Sequence, residues 1–490
     1  MASLRIPGRS LGLKFLLVCA LAVLMSLPAF FVFALIYDRT NRANQVIAEV
    51  GQTFGGEQTF VGPLLVAPYR AVRPAPPPQP GEQIAGRPTT IVEEGWYVVF
   101  AENGRADIAA DTDVRSRGDL FKVRTYTADV TFNAAFDLRG EPTNAPAGAA
   151  IDWTRATLLI GVADPRGTSG APEVTIEGRP AIPLEPGSAY ANVLGGYVDP
   201  QTYGGQSPSG PTQIQWLSAD LGDLARPDQQ FALAAQLSIT GVESIGVVAY
   251  AKNTEIRVAG DWRDVGYFGA FPRLDDAAAP QGAPQANDGF EARWSIPYVA
   301  RNVTEAGAAT DLGALMGSTV RVRFVDPTNP YQAVTRSLKY ALLFIGVVFL
   351  AYFLFEATSD NRVHPAQYIL VGLAQIIFYL LLLAISERIG FQWAFLIAAV
   401  ATVALISAYL GAVFRSARKG IVGVGVFTAL YALIYVLMSL EDFALLVGSV
   451  AAFLAIAAAM FATRNLDWYG LTADRAPWRD PERPPPAPGG

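Results

Sequence analysis

Residues 13–36 read LKFLLVCALAVLMSLPAFFVFALI, and this stretch decides the class of fold. A helix crosses a hydrocarbon core of about 30 Å with about 20 apolar residues, because each residue adds about 1.5 Å. The stretch exceeds the roughly 7–15 apolar residues of a cleavable signal peptide, and no small-x-small cleavage site precedes Tyr37. We therefore predict an uncleaved transmembrane helix over residues 13–36, preceded by a short cytoplasmic segment, residues 1–12.

The only cysteine of the chain, Cys19, lies in this first apolar stretch. A lipidation signal needs a small residue before the cysteine, and Val18 occupies that position. Cys19 is therefore interpreted as a buried apolar residue. A single cysteine also excludes an intramolecular disulfide framework.

Five further apolar runs of comparable length occupy the C-terminal third of the chain. Each is long enough to cross a bilayer as a helix. The five runs are residues 340–358, 367–386, 391–413, 420–440 and 443–462. A Pro-rich cytoplasmic tail, residues 463–490, follows them and is predicted to be solvated, with a ligand for a polyproline-binding partner as the less favoured alternative.

The composition agrees with a membrane protein. Of the 490 residues, 51% are hydrophobic and 16% are charged, whereas soluble domains have about 25% charged residues. The mean hydropathy is +0.28, which excludes an ordinary soluble protein and a disordered one. The net charge of −6 lacks the basic surface that nucleic-acid binding requires. We therefore predict a lipid bilayer, and no nucleic acid, among the partners.

Lysine and arginine in the short loops indicate the orientation, because cytoplasmic loops carry an excess of both residues. With six spans and a cytoplasmic N-terminus, one group of basic residues falls on the inner side. This group is Arg5, Arg9, Lys14, Arg362, Arg415, Arg418, Lys419 and Arg464. The outer short loops hold Arg388, beside Glu387 and the acidic pair Glu441 and Asp442. The sequence therefore predicts cytoplasmic termini and an external segment, residues 37–339.

The residue usage suggests a bacterial source. Arginine outnumbers lysine 32 to 5 and alanine is abundant, which is typical of a GC-rich genome. The membrane is then predicted to be the inner, or plasma, membrane, and residues 37–339 are predicted to be periplasmic. This segment contains no cysteine. Its stability must come from a hydrophobic core, which a segment of about 300 residues can bury.

The external segment contains short runs that alternate apolar and polar residues, separated by Gly, Pro, Asn and Asp. Period-2 runs predict strands, and many strands at short spacing predict an all-β, sandwich-like domain. The runs are residues 97–100, 121–132, 157–162, 231–239, 245–250, 255–258, 291–296 and 319–325. Overall, we predict an integral membrane α + β protein with one anchor helix, a β-rich domain and a bundle of five helices.

Three other stretches of the external segment carry predictions. Residues 38–50 are expected to continue the first helix as a short stalk, with Val46, Ile47 and Val50 on one side. The stretches 73–87 and 277–288 are rich in Pro, Gly and Ala. They are therefore predicted to be surface loops.

The single histidine, His364, limits the chemistry that the chain can perform. The predicted topology places it in a cytoplasmic loop, so a Ser-His-Asp or histidine-containing metal site in the external domain is not expected. The dipeptide His364-Pro365 is interpreted as a helix start, because proline fits the first turn of a helix.

Two motifs favour structural interpretations. Asp111 and Asp113 resemble the start of a calcium loop, but Arg115 stands where an oxygen ligand is needed, so we discount the motif. Glycines at 420, 423 and 425 lie at the start of the apolar run 420–440. No strand precedes them, which excludes a dinucleotide-binding fingerprint. They are interpreted as small residues that allow close packing of helices.

Ionisable and strongly polar residues within membrane helices are candidates for function, because they are costly there. The candidates are Glu356, Gln375, Glu387 and Asp442. Gln375 is the one closest to a midplane, and a hydrogen bond to a neighbouring helix is its structural alternative. We predict no catalytic residue, no cofactor-binding residue, no metal ligand and no cofactor.

A series of short segments in a fixed order carries a family resemblance. In the first part of the chain they are residues 39–42, 45–47, 55–58 (GGEQ), 62–63, 68–69, 126–130, 262–271, 289–290 and 294. In the C-terminal part they are residues 331–332, 339–340, 355–356, 364–365, 367–368, 371–373, 386–387, 389–391, 441–442 and 466–469 (LDWY). On these motifs the chain resembles the CreD family of bacterial inner-membrane proteins over roughly residues 12–470.

The resemblance implies a role in cell envelope integrity, under a two-component stress response and linked to β-lactam and colicin sensitivity. It implies no catalytic residues. Phe54 departs from the family pattern, where tryptophan is expected before the GGEQ segment, and so do the insert 73–87 and the tail. These departures weaken any expectation that the external surface binds the same partners.

Three functions compete at this point. The favoured one is a non-enzymatic envelope protein whose β domain is a binding module for envelope components or other inner-membrane proteins. The alternative is a transporter or channel component that moves an envelope-related substrate through the helix bundle. A Ser-Lys hydrolase that uses Lys122 or Lys252 is a third, although no nucleophile is evident near either residue. The oligomeric state stays open.

Overall fold

The computed structural model describes residues 11–75, 90–117, 121–140, 142–191, 193, 197–198, 212–275, 289–301, 303–325, 334–335, 338, 340–359, 363–439 and 444–464. The chain divides into two compact units. The helical unit comprises Met1–Asn41 and Thr328–Gly490, and the β-rich unit comprises Arg42–Pro327. Most of the predicted loops 73–87 and 277–288 and of the tail 463–490 lies outside the described residues.

Seven α-helices occur in the described part of the chain. They are α1 (Leu11–Leu24), α2 (Ser26–Phe54), α3 (Ala341–Ala357), α4 (Pro365–Ile389), α5 (Phe391–Val413), α6 (Ala417–Ser439) and α7 (Ala444–Thr463). The described residues of all six predicted apolar runs are therefore helical, apart from Met25 in the first run and the end residues 340 and 358 of the second. Five stretches among the described residues are long and apolar enough to cross a membrane, and α3, with 17 residues, is shorter. The predicted count of six spans is thus not confirmed, although 17 residues, about 26 Å, is near the lower limit for a span.

Helices α1 and α2 follow each other almost without interruption. Only Met25, in a turn, separates them. Pro28 has no N–H to donate to the carbonyl of Leu24, and this missing hydrogen bond explains the break. Helix α2 then continues to Phe54, so the predicted stalk over residues 38–50 is helical.

The last part of α2 packs within the β-rich unit. Val46 and Val50 are buried in one small cluster with Val123 and Val242, and Ile47 packs beside them. These three residues of α2 lie on one side of the helix, as the sequence predicted. The stalk therefore contributes its apolar face to the core of this unit.

Nineteen strands form in the described residues of the β-rich unit. They are β1 (Gln58–Pro74), β2 (Thr90–Val99), β3 (Ala101–Arg117), β4 (Phe121–Asp137), β5 (Ala149–Ile151), β6 (Thr157–Val162), β7 (Thr168–Ile176), β8 (Ile182–Pro183), β9 (Glu185–Pro186), β10 (Tyr197–Val198), β11 (Thr212–Gln213), β12 (Gln215–Asp220), β13 (Gln230–Val242), β14 (Ser244–Val248), β15 (Ala251–Gly260), β16 (Val265–Gly269), β17 (Phe290–Ile296), β18 (Ala306–Ala308) and β19 (Thr319–Phe324). Each predicted run overlaps a strand, and the run 157–162 coincides with β6. The runs 97–100, 245–250 and 319–325 extend one or two residues past the ends of β2, β14 and β19.

The strands form two large sheets around one hydrophobic core. The ten-stranded sheet has the order β16-β19-β14-β1-β6-β12-β9, with β2 and β5 also paired to β1 and β18 paired to β2. The seven-stranded sheet has the order β17-β15-β3-β4-β13-β7-β8. Strands β10 and β11 pair separately. Buried residues of both sheets form a single cluster, and the sheet domain is nearly closed, like a barrel.

The sequence did not predict two of the longest strands, β1 and β3. Strand β1 is buried throughout its first ten residues, so it lacks an alternation of apolar and polar residues, and it contains Gly62 and Pro63, which are uncommon in strands. A side chain at Gly62 would approach the Tyr250 ring to 2.4 Å, so this close contact requires glycine. Strand β3 is rich in Ala and Asp, which are uncommon in strands. Tertiary pairing overrides local preference in both cases.

Candidate functional site

An open groove of about 690 Å³ lies on the outer face of the seven-stranded sheet. Five neighbouring strands line it, namely β15, β3, β4, β13 and β7. Alternation directs Ala135, Ala232 and Ala234 outward, and their short side chains leave a depression in the sheet surface. Since neighbouring strands are about 4.8 Å apart, five strands give the groove a length of about 19 Å across the sheet.

Polar side chains surround this alanine floor. Asn103, Asn133 and Asn253 are exposed on three adjacent strands, and Asn253 Nδ2 lies 3.3 Å from Asn103 Oδ1. Glu255 lies on one side of the groove and Glu177 on the other, and both are exposed. Amides donate and accept hydrogen bonds, and the carboxylates accept them. The groove can therefore hold a polar chain that is uncharged or basic.

The reactive side chains that line the groove are few, and they are engaged in hydrogen bonds within the protein. Its one guanidinium, that of Arg105, is held by Asp107 through two hydrogen bonds of 2.8 Å and 3.0 Å. Among the described side chains that line it, the one hydroxyl is that of Thr175, which donates to the carbonyl oxygen of Ala234 at 3.2 Å. A nucleophile beside a base, as covalent catalysis needs, is not formed by these residues.

A second polar site lies where α2 ends and β1 begins. Gly55 ends the helix at a φ of +78°, and a side chain there would meet the Thr240 carbonyl at 2.8 Å. Gln58 Nε2 donates to the carbonyl oxygens of Asp164, at 2.9 Å, and Thr240, at 3.2 Å. Thr240 Oγ1 donates to the carbonyl of Phe54 at 2.5 Å. The segment 55–58 is therefore fixed by hydrogen bonds to distant loops and strands.

The Asp164 carboxylate completes this hydrogen-bonded joint. Its Oδ2 accepts from the Gly56 N–H at 3.2 Å and from Arg166 Nη2 at 2.6 Å. Burial by itself raises the pKa of Asp164, but the hydrogen bonds from Arg166 and Gly56 outweigh burial and lower it overall. The carboxylate is therefore ionised at neutral pH and stabilises the turn after α2.

Charged side chains are buried beside the same segment. Glu57 Oε2 lies 3.5 Å from Arg321 Nη1, and Glu57 Oε1 lies 3.9 Å from Arg323 Nη2. Glu243 Oε2 accepts from Arg124 Nη2 at 2.6 Å. Burial raises the pKa of Glu243, Arg124 opposes that increase, and the nearby charge of Glu57 adds to it. Buried charges with opposite partners are typical of a structural network, since an unpaired one is very costly.

In the helical unit, Glu356 on α3 is the best-connected polar residue. Its Oε1 is contacted by Lys14 Nζ of α1 and accepts from the Val363 N–H at 2.7 Å. Its Oε2 accepts from the Tyr368 hydroxyl of α4 at 2.8 Å. Glu356 is thus a buried residue that joins three helices.

The other transport candidates have different surroundings. Gln375 on α4 is completely buried, and neither its amide oxygen nor its nitrogen has a hydrogen-bond partner in the described part of the chain. The structural alternative of a bond to a neighbouring helix is therefore not observed. Glu387 is half-buried near the end of α4. Asp442 lies outside the described residues.

His364 and the glycines take the predicted structural roles, with one exception. His364 is the N-cap of α4, and its Nδ1 accepts from the Ala366 N–H at 3.2 Å, while Pro365 occupies the first turn. A side chain at Gly420 would lie 3.4 Å from the Gly411 Cα, and one at Gly423 would lie 2.7 Å from Leu410. These two glycines therefore permit close packing of α6 on α5. The third, at position 425, faces open space, so the prediction is wrong there.

The two hydrolase candidates, Lys122 and Lys252, lie in the β-rich unit. Lys252 Nζ lies 2.5 Å from Glu102 Oε1 and 2.7 Å from Glu305 Oε2. Burial lowers the pKa of Lys252, but the hydrogen bonds to both glutamates outweigh burial and raise it overall. A lysine that acts as a general base needs a lowered pKa, so Lys252 is poorly suited to that role. Lys122 is exposed on β4.

Two further predictions concern single residues. Cys19 is exposed on the surface of α1, so the prediction that it is buried in protein is wrong. An apolar side chain can remain on the outside of a membrane helix, because the surrounding lipid is also apolar. Asp111 and Asp113 lie within the extended strand β3 rather than in a loop, which agrees with discounting a calcium loop.

Sequence reasoning missed the groove and the charged network. The groove residues come from five strands, so only the register of the sheet brings them together. The charged network was also hidden, because Glu57, Glu243 and Arg321 are far apart in the chain. A partial signal existed, since Glu57 and Gln58 belong to the GGEQ segment that carries part of the family resemblance.

These features define an integral membrane protein with apolar helices and a large β-sheet domain. The sequence model of the family described as "Inner membrane protein CreD" matches residues 10–469. The chain therefore belongs to the CreD family. It is 28% identical to the Inner membrane protein CreD of Escherichia coli (strain K12) over 454 residues, which cover 92% of each chain.

Solved structures give only remote likenesses. An M1 zinc metallopeptidase of Deinococcus radiodurans shares 8% identity and a TM-score of 0.18, over 46% of this chain and 42% of that one. A protein of Legionella pneumophila described as nutrient binding shares 9% identity and a TM-score of 0.20, over 56% of this chain and 87% of that one. Neither likeness supports a conclusion about fold or function.

The joint after α2 gives a pH-dependent prediction. We expect Asp164→Asn to destabilise the β-rich unit by about 1–3 kcal/mol at pH 7, because charge-assisted hydrogen bonds are lost. The pKa of Asp164 is below its usual value of 3.8, so its ionised form stabilises the fold above about pH 4. This advantage disappears as the pH falls through the lowered pKa. Hydrogen exchange of the β1 amides measures the effect.

The exposed Asp129→Asn on β4 is the matched control and is expected to leave exchange unchanged. An equal effect of Asp164→Asn at pH 7 and at pH 3 would contradict the assignment.

The Lys14–Glu356 pair gives a second prediction. Removal of one partner leaves a buried charge unpaired, so Lys14→Met and Glu356→Met should each destabilise the helical unit by about 3–5 kcal/mol. The variant with both Lys14→Met and Glu356→Met is expected to lose less than the sum of the two single losses. Thermal unfolding of the full chain in detergent measures these differences. Strictly additive losses would show that the two side chains do not interact, and Arg388→Met, at an exposed position, is the control.

Proposed function

We propose that this chain is a non-enzymatic inner-membrane protein that supports the integrity of the cell envelope. The proposal includes a role in envelope-stress or β-lactam response. Membership of the CreD family supports this role, because the family is one of inner-membrane proteins. The poor suitability of Lys252 as a base and the capping role of His364 support the absence of catalysis.

We infer that the segment 37–339 is periplasmic and that both termini are cytoplasmic. The excess of Lys and Arg in the short segments assigned to the inner side supports this topology. It requires α1 with the start of α2, and each of α3 to α7, to act as a span. Helix α3, with 17 residues, is the shortest of these.

The groove on the seven-stranded sheet carries the proposal of a binding module. Its alanine floor, about 19 Å long, gives a polar chain room to lie across five strands. Asn103, Asn133 and Asn253 can hydrogen-bond to such a chain, and Glu177 and Glu255 favour an uncharged or basic one. An envelope component of that chemistry, or another inner-membrane protein, is the proposed partner.

The groove is tested by filling it. We expect Ala234→Trp to block the floor and to weaken binding at least about tenfold, which corresponds to about 1.4 kcal/mol. The variant is produced in a strain that lacks the native protein, and dye permeability and β-lactam sensitivity are measured. Ala234→Trp should fail to restore both, whereas the wild-type chain should restore them.

The matched control is Gln236→Trp, an outward position on the same strand that does not line the groove. If Ala234→Trp restores the envelope as well as Gln236→Trp does, the groove is not the binding surface. If the wild-type chain changes neither readout under several stresses, the envelope role itself fails.

A second candidate function is passage of a small solute through the helical unit. One observation favours it, namely that Gln375 is buried among membrane helices with an amide that has no partner in the described residues. Buried polar groups in membrane helices are costly and commonly mark solute pathways. The cargo would be an envelope-related substrate delivered by the β-rich unit.

The second candidate is tested with proteoliposomes that contain the full chain. Flux of urea, glycerol and protons is measured for the wild type and for alanine variants of Glu356, Gln375, Glu387 and Asp442. We expect Gln375→Ala to change urea or glycerol flux. Flux that survives all four substitutions would remove these residues from the mechanism, and absence of flux in the wild type would reject these solutes as cargo.

A further inference from the structure

Several fully buried polar groups of the helical unit have no hydrogen-bond partner among the described residues. They include the hydroxyls of Tyr352, Tyr379 and Ser407 and both ends of the Gln375 amide. The exposed fractions are 0% for Tyr352 and Gln375, 1% for Tyr379 and 2% for Ser407. These residues lie on three helices, α3, α4 and α5.

Burying these groups costs free energy if the interior of the bundle contains no water. A buried polar group without a partner costs about 1–3 kcal/mol in proteins, and several kcal/mol in hydrocarbon. Most buried polar groups in native structures have a protein or water partner. The unpaired groups of the helical unit therefore point to bound water or solute that supplies the missing hydrogen bonds.

Two of these groups, Gln375 and Tyr379, lie on the buried side of α4 together with Tyr368. Gln375 is seven residues after Tyr368 and four before Tyr379, and these spacings place all three on one face of a helix. Along the axis the amide is about 10 Å from Tyr368 and about 6 Å from Tyr379. The ring of Tyr352 packs edge-on against that of Tyr368, with centroids 5.2 Å apart. Tyr352, Tyr368, Gln375 and Tyr379 thus form a polar stripe, which extends from the Glu356 site toward the middle of the bundle.

The chemistry of the stripe selects an uncharged ligand. Glu356, at the Tyr368 end of the stripe, already accepts hydrogen bonds from Lys14, Val363 and Tyr368. Between Pro365 and Ser386 the sequence of α4 has no ionisable acid or base other than tyrosine. An amide and hydroxyls both donate and accept hydrogen bonds but offer no charge to balance an ion.

We propose that Tyr352, Gln375 and Tyr379 line a hydrated site inside the helical unit. The site takes uncharged hydrogen-bonding groups, namely water and small amides or alcohols in its place, and it excludes ions. The inference rests on the second candidate function, to which it adds a location and a solute class. Gln375 is the residue that recognises the ligand, because it offers a donor and an acceptor on one side chain.

Hydroxyl-radical footprinting tests the hydration directly. Radicals are generated by irradiation of water around the full chain in lipid nanodiscs, and modified side chains are identified by mass spectrometry. We expect Tyr352 and Tyr379 to be modified faster than buried aromatic residues without water next to them. Phe349 and Phe353 are the matched controls, since both are on α3 and are 1% and 0% exposed. Equal rates for the tyrosines and the phenylalanines would overturn the proposal.

Gln375→Leu provides a second test with opposite outcomes. In a dry interior, leucine removes an unpaired amide and raises the Tm of the full chain. In a hydrated site, leucine displaces the ligand, lowers the Tm and slows the modification of Tyr379. A raised Tm with unchanged labelling would overturn the proposal. Ile376→Leu, at the next position of α4 and also buried, is the control for packing.

The two functions can fail separately. Rapid labelling of Tyr379 without urea or glycerol flux supports the hydrated site and rejects transport of these solutes. Slow labelling overturns the site, whatever flux is measured. If Gln375→Leu does not fold, the footprint of the wild-type chain still decides between these outcomes.

Discussion

The ion pair between Lys14 and Glu356 connects residues 342 positions apart in the chain. A charge in a low-dielectric interior costs several kcal/mol unless an opposite charge and hydrogen bonds compensate it. The chain meets this requirement by placing Lys14 of α1, Tyr368 of α4 and the Val363 N–H around one carboxylate. The neighbouring contact of Phe15 with Phe353, at 5.4 Å between ring centroids, packs the same two helices together. The first helix is therefore an integral part of the helical unit and more than a tether.

Buried charged and polar side chains have different partners in the two units. In the β-rich unit, Glu57, Glu243 and the nearby arginines compensate one another, and Gln58 satisfies backbone groups of distant segments. In the helical unit, Glu356 is compensated, whereas the Gln375 amide is not. The glutamates and arginines of the β-rich unit balance one another's charge, whereas an uncharged amide can be satisfied only by hydrogen bonds. The GGEQ segment, residues 55–58, therefore has a structural role, because its side chains are used in hydrogen bonds and ion pairs within the β-rich unit.

The sequence predicted those elements whose signal is local. Apolar length located the membrane helices to within a few residues, and 391–413 coincides with α5. Alternation located β6, the first twelve residues of β4 and the centre of β13. Strand β1 was missed because both of its faces are buried, and β3 because Ala and Asp are poor strand formers. Its pairing with β4 over fifteen positions stabilises it instead.

The candidate sites depend on contacts that no local pattern contains. Asn103, Asn133 and Asn253 meet only because β15, β3 and β4 are neighbours in a sheet with mixed strand directions. Gln375 was recognised as polar and central, but its lack of a partner depends on every helix around it. The exposure of Cys19 was mispredicted for a related reason, since apolar character does not distinguish a side chain that faces lipid from one that faces protein.

The long separation of Lys14 and Glu356 has a consequence for biosynthesis. A ribosome that adds about 5–20 residues per second needs about 20–70 s to proceed from one residue to the other. During that interval α1 is already made, the whole β-rich unit is being synthesised, and Lys14 has no carboxylate to pair with. The lysine must keep its ammonium group in water at the membrane surface until α3 arrives. The helical unit can therefore close only after the β-rich unit has left the ribosome, which sets the order in which the two halves of this protein mature.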